Sequence, residues 1–186
     1  NVTMAELCEL FTVDKVHSSP ARFDMKKLEA INGDKIRALT LDDFLKWSLP
    51  FLTKANVISG SDAEIALVKQ ALPLIQERIV KLDEVPAMLR FLFVKEFKVE
   101  EASLPKVTDS ASKDVLKRSL AELTPLTTWN HESIEAALRA SLIEEIAFGA
   151  VRIATTGSTI SPPLFESMEL LGKDACLARI TAAIAL

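Results

Sequence analysis

The scarcest residues narrow the chemistry first. The chain has two cysteines and two histidines among 186 residues. Cys8 and Cys176 lie near opposite ends, and His17 and His131 stand alone, so the clustered ligands of a zinc site are missing. A Cys8–Cys176 bridge would have to be made by the fold, and buried free thiols are the expected state in a reducing compartment. With five glycines, close backbone approach to phosphates is scarce. No GxSxG, phosphate loop, dinucleotide-binding glycine turn or His-Glu zinc pattern occurs, so no active site or cofactor site is expected in these residues. Charged residues interrupt every apolar segment, and no run of about twenty apolar residues exists. A mean hydropathy of +0.22 therefore does not signal a membrane span. The start of the sequence has no basic stretch followed by an apolar core, so a secretion signal is not expected either. The expected setting is cytoplasmic, with no membrane partner.

Apolar residues make up 49% of the sequence, enough for one good core or two small ones. The net charge is −4 and the isoelectric point about 5.3, which argues against a broadly basic nucleic-acid binder. Lys and Arg could still gather on one face.

Apolar periodicity is helical throughout, strand alternation is unconvincing, and no internal repeat is visible. Thr3 can cap a short helix over Met4 to Phe11, followed by a loop held by Pro20. Asp24 can cap Met25 to Ile31. Thr40 and Asp42 open the next helix, with Phe44, Leu45 and Leu49 on one face and Pro50 near its end. Asp62 caps a helix through Val68 and Leu72 up to Pro73, which must break or kink it. A further run spans Leu74 to Leu82, and Asp83 starts a helix through Leu89 and Phe93. From Lys95 to Asp109 the stripe fades, which places a boundary near residue 100. Beyond it, the stretch Val107-Thr108-Asp109-Ser110 opens a helix through Leu116 and Leu123. Asn130 caps the next, with Trp129 and Ile134 spaced as a hydrophobic staple. Asp174 caps a closing helix through Ile180. The prediction is an all-α chain in two small helical sub-domains, without a substantial sheet.

Conformational punctuation is densest from Phe148 to Gly172. Gly157 stops an outgoing helix that carries Arg152. Ser161 is placed to cap a second helix with Pro162 at its first position, and Gly172 to end it. A helix start usually offers free N–H groups to an anion, but Pro162 and Pro163 have none. What remains is a stiff edge that suits an unstacked base better than a phosphate. Arg152 could serve as a planar donor to a base edge, or it could pair with Glu144 or Glu145. Leu164 is assigned to the edge and Phe165 to the core.

The elements Arg152-x-Ala-x-Thr-Gly157, Ser161-Pro-x-Leu-Phe-Glu166 and Leu171-Gly172, in this order and spacing, resemble the C-terminal anticodon-binding region of bacterial glutamyl-tRNA synthetases. Phe23-Asp24-x-x-Lys27-Leu28, leading to Ile36, resembles another element of that family, with Ala30 where tryptophan is usual and Lys35 where tyrosine is usual. The resemblance implies an anticodon-binding role for Arg152, Ser161, Pro162, Pro163 and Leu164. It extends to Arg78, in a segment similar to the family's ER-x-x-x-L helix. Lys26, Lys27 and Lys173 become candidates for tRNA backbone contact, with Arg179 a generic one. It implies residues 1–38 as the end of a stem-contact domain, and 39–100 and 101–186 as two anticodon-binding sub-domains. The partner implied is tRNA(Glu) rather than DNA. ATP with Mg would belong to a catalytic domain that these residues do not contain, since the ATP-binding signatures of class I synthetases are absent. The competing reading is a helical interaction or scaffold module with no RNA role.

Overall fold

Helix starts in this chain are set by side chains three residues upstream of the backbone N–H they satisfy. A computed structural model describes residues 2–15, 22, 24–94, 96–141 and 148–186. Thr3 caps α1 (Met4–Leu10) in a reciprocal box with Glu6. Asp24 caps α2 (Met25–Arg37). Thr40 caps α3 (Leu41–Lys54), which continues through Pro50. α4 (Asp62–Ala71) is capped by Ser61 rather than Asp62, because Glu64 completes a capping box with that serine. Pro73 breaks the helix as expected and becomes the first residue of α5 (Pro73–Gln76). The run beyond Gln76 is not helical as far as Leu82. A 3₁₀ turn (Leu82–Glu84), the short α6 (Val85–Leu89) and a second 3₁₀ turn (Arg90–Leu92) finish this part.

The second part starts with α7 (Pro105–Thr108) and α8 (Ser110–Leu123). Asp109 accepts the Ser112 N–H at 2.9 Å at the start of α8. α9 (His131–Ser141) starts where Asn130 accepts the Ser133 N–H at 2.9 Å. α10 (Phe148–Thr156), α11 (Leu164–Leu171) and α12 (Lys173–Ala185) close the chain. α12 begins at Lys173 behind Gly172, so Asp174 lies inside its first turn instead of capping it. No strand occurs among the described residues, and the all-α expectation holds. Pro20, Phe23, Lys95, Leu142, Glu144 and Glu145 lie outside the described residues.

Two apolar clusters organise these helices. The first gathers Phe44, Leu52, Val68, Leu72, Ile75, Ile79 and Leu89, all fully buried. The second gathers Leu116, Leu123, Ile134, Leu138, Met168 and Ile180, also fully buried. Each such side chain contributes about 1.5–3 kcal/mol by leaving water. Leu170 of α11 packs against the first cluster, so the second part reaches across to the first.

α2 docks on the first cluster through its C-terminal half. Gln76 Nε2 donates to the carbonyls of Ile36 at 2.9 Å and Leu39 at 3.0 Å. Gly33 allows this approach, since a Cβ there would sit 3.2 Å from Val80 Cγ1. The helix thus runs six residues past Ile31, because docking outweighs the local cost of a mid-helix glycine. By contrast, α1 buries no residue, and Met4, Leu7, Leu10 and Phe11 are exposed. Cys8 on α1 is an exposed free thiol, not a buried one, whereas Cys176 is buried and free. Burial pushes the Cys176 thiol up to about 12. No helix among the described residues is long and apolar enough to cross a membrane.

Candidate nucleic-acid interface

α10 ends because Gly157 adopts φ +88°, a conformation that favours glycine. Its N–H still closes on the Ile153 carbonyl at 2.8 Å. A Cβ at this position would also meet the Lys98 carbonyl at 3.1 Å. Thr155 and Thr156 bond back to the Val151 and Arg152 carbonyls, each at 2.8 Å, which secures the last turn.

From that turn Arg152 reaches forward across the loop. One guanidinium nitrogen donates to Ser161 Oγ and to the Pro162 carbonyl, both at 2.7 Å. The Ser161 hydroxyl donates to the same carbonyl at 3.2 Å. The loop is therefore held at both ends, by Gly157 and by the arginine. This geometry corrects the expected role of Ser161. α11 starts at Leu164 behind Pro163, without any side-chain cap. The hydroxyl serves the arginine instead. The Pro163 carbonyl is likewise taken, by the helical Ser167 N–H at 3.0 Å and by Ser167 Oγ at 2.6 Å.

Burial sorts the remaining edge residues. Ser161 and Pro162 are buried and Pro163 is half-buried. Leu164, expected at the edge, is 4% exposed and belongs to the second core. The reason is register: Leu164 opens the same helical stripe that carries Met168. Phe165 is half-buried, edge-on to Phe148 at 5.5 Å between ring centres, with Arg139 over both rings. Ile160, just before Ser161, is 72% exposed and supplies the apolar surface expected of Leu164.

Electrostatics brings in the first part of the chain. Burial holds the Arg152 guanidinium below its ordinary range, and the nearby positive charge of Arg78 pushes it further down, while Glu166 opposes both. Arg78 is exposed. Arg152 and Ser161 are bonded to each other, and the charge of Arg78, more than seventy residues earlier in the sequence, acts on the same guanidinium. A cavity of about 590 Å³ opens beside Ser161, lined also by Met88, Phe91, Phe97, Gly157 and Ile160 among others.

Two other candidates have other duties. Lys173 Nζ donates to the Thr124 and Leu126 carbonyls at 2.8 and 2.6 Å, so it closes the end of α8 rather than standing free for phosphate. Arg179 donates to the carbonyls of Thr155 and Phe91. Lys26 and Lys27 are exposed on the first turn of α2. Sequence reading also missed Trp129, whose Nε1–H donates to the Met168 carbonyl at 3.0 Å. The staple spacing gave Trp129 an apolar role, and nothing in it encodes a partner thirty-nine residues away.

Fold and site together define an all-helical module that presents a stiff, arginine-held edge at a junction of two cores. A family model described as an anticodon binding domain matches residues 41–184, and the chain belongs to that family. The glutamate–tRNA ligase of Saccharopolyspora erythraea is 42% identical over 189 residues, covering 97% of this chain and 38% of the relative. The glutamate–tRNA ligase of a Nocardioides species is 44% identical over 192 residues, covering 98% of this chain and 39% of the relative. The chain therefore spans less than two fifths of the length of these curated relatives. A crystal structure of a glutamate tRNA ligase from Elizabethkingia meningosepticum shares the fold, with a TM-score of 0.76 at 21% identity over 99% of this chain and 37% of that one.

Proposed function

We propose that this chain reads the anticodon of tRNA(Glu) as the C-terminal part of a glutamate–tRNA ligase. Residues 1–38 then form the end of a stem-contact domain, and 39–100 and 101–186 two anticodon-binding sub-domains. ATP with Mg is bound by a catalytic part outside these 186 residues, and the setting is the cytoplasm. Neither DNA nor a membrane is a partner.

The observation that carries this reading is the half-buried Arg152 guanidinium bonded to Ser161 Oγ and the Pro162 carbonyl, with the positive charge of Arg78 acting on it. Two guanidinium charges near enough for one to disfavour the other call for an electron-rich ligand. An unstacked base offers carbonyl and ring-nitrogen acceptors without the bulk of a duplex. Arg152 spends one nitrogen on the loop, and its planar fork leaves further N–H donors for a base. Ile160 and the half-buried Pro163 supply an apolar surface for the base plane. Contacts of this kind are worth about 1–3 kcal/mol each. Lys26 and Lys27 add backbone contacts that raise affinity in a salt-dependent way without reading sequence.

Filter-binding titration of tRNA(Glu) at two salt concentrations tests the proposal. Affinity falls with salt, and falls again when the anticodon is changed. Arg152→Ala weakens binding by about tenfold or more while circular dichroism shows the helices intact. Equal and negligible binding to every RNA would make the chain a helical scaffold instead.

A further inference from the structure

Arg179 lies on α12, yet its contacts belong to three other segments. Its guanidinium donates to the Thr155 carbonyl at 2.6 Å, in the last turn of α10. It also donates to the Phe91 carbonyl at 2.8 Å, in the 3₁₀ turn that ends the first part of the chain. The same group lies 4.0 Å from the centre of the Phe97 ring, on the connecting stretch between the parts. Among the described residues no carboxylate is paired with it. Two carbonyl dipoles and one aromatic face replace the water that this half-buried cation has given up.

The connecting stretch is pinned at the same place from the other side. The Glu100 N–H donates to the Gly157 carbonyl at 2.9 Å. Gly157 sits so close to the stretch that a Cβ would lie 3.4 Å from the Phe97 ring. Phe91, Phe97 and Gly157 all line the cavity beside Ser161. Arg179 therefore stands behind the walls of the junction, with bonds to both.

We propose that Arg179 is a positioning residue that fixes the two helical parts against each other, and so sets where the helix end carrying Arg152 stands relative to the first part. The bearing of this placement on RNA binding rests on the anticodon-reading proposal, and the positioning itself does not. A planar guanidinium suits the task because it donates in two directions in one plane while stacking a ring on its face. Lysine can supply a point charge to one carbonyl, but not this combination. Because Phe91 belongs to the first part and Thr155 to the second, opening the junction breaks the Phe91 bond while the Thr155 bond stays within the second part.

Two readouts on the whole 186-residue chain test this. The first is amide hydrogen exchange followed by NMR, with the Glu100 amide reporting the junction and the Leu116 amide reporting the second core. Arg179→Met speeds exchange at Glu100 by about tenfold and leaves Leu116 unchanged. Arg179→Lys falls between the two. Should Arg179→Met fail to fold, Phe97→Leu removes the stacked ring and shifts Glu100 in the same direction. Unchanged exchange at Glu100 would overturn the assignment.

The second readout is binding of an anticodon stem-loop RNA across a salt series. Arg179→Met weakens binding about tenfold at every salt concentration, so its line runs parallel to the wild type. A salt slope reduced by about one unit would make Arg179 a phosphate contact and overturn the positioning role. If the wild type binds no stem-loop at all, the anticodon reading fails, and the exchange measurement alone decides whether Arg179 sets the junction.

Discussion

The two parts of this chain share local caps and long-range donors to carbonyls, and differ in which side chains stand out in each. In the first part, short polar side chains accept from N–H groups a few residues away. Thr40 Oγ1 accepts the Asp43 N–H at 3.2 Å. Glu64 gathers the N–H groups of Ser59, Gly60 and Ser61 within 3.0 Å. Those bonds, with the Ser59 hydroxyl foremost, lower the Glu64 carboxyl to about 2. In the second part, long cationic or indole side chains donate to carbonyls far away in sequence, from Arg152, Lys173, Arg179 and Trp129. Local acceptors end helices wherever the chain goes next. Distant donors hold one segment against another, and two of them, Arg152 and Arg179, reach segments of the candidate interface.

The largest effects probe whether these two styles still make one cooperative unit. Phe44→Ala in the first core costs about 3–5 kcal/mol, and Ile180→Ala in the second about 2–5 kcal/mol. Urea unfolding followed by fluorescence and circular dichroism shows both changes shifting one shared transition, because Leu170 and Arg179 bind the parts together. Two separate transitions would divide the comparison into two independent domains.

A smaller effect separates local from distant anchoring. Ser61→Ala costs about 1 kcal/mol as the loss of a helix cap. Ser161→Ala has a different origin, since Ser161 caps nothing and accepts from Arg152. A double-mutant cycle of Ser161→Ala with Arg152→Met gives a coupling of about 1 kcal/mol. A coupling near zero in thermal or urea melts would mean that the loop holds its shape without the arginine.

Much of this was legible before folding, and the boundary of legibility follows the same division. The caps at Thr3, Asp24, Thr40, Asp109 and Asn130 lie within three residues of their partners, so spacing reveals them. Ser161 has the same residue type in the same setting before a helix, and that rule misassigned it. The competing donor was Arg152, nine residues back across a turn. Leu164 joined the second core, where Phe165 was expected and also packs, for a similar reason. Adjacent apolar residues at a helix start are distinguished by the angle at which the helix enters the core, and sequence does not encode that angle locally.

The smallest effects lie in the response to pH. His131 Nδ1 lies 2.7 Å from Glu169 Oε2, and the carboxylate also accepts the His131 N–H at 3.0 Å. Hydrogen bonding to Glu169 raises His131 above its ordinary 6.5, and the same bond lowers Glu169 below 4.5. The histidine's contribution is complete below 6.5 and is lost as pH rises through its higher folded value. The glutamate's is complete above 4.5 and is lost as pH falls through its lower folded value. Melting temperature in low salt therefore shows a shallow maximum between these limits, and Glu169→Gln flattens it. Glu64 adds an acid limb from the first part, between 4.5 and about 2, which Glu64→Gln removes. A pH profile unchanged by either substitution would show that these exposed contacts carry no weight.

The sequence alone determined the helical class, most helix starts, and the elements by which the chain resembles an anticodon-binding region. Those rest on periodicity and on contacts within one turn, where chain connectivity already brings the partners together. Only the tertiary structure decided that Arg152 bonds Ser161, that Lys173 closes α8, and that Arg179 spans both parts. Such contacts depend on the packing of two cores, and an arginine's reach across that junction is fixed by helix placement rather than by its neighbours in sequence.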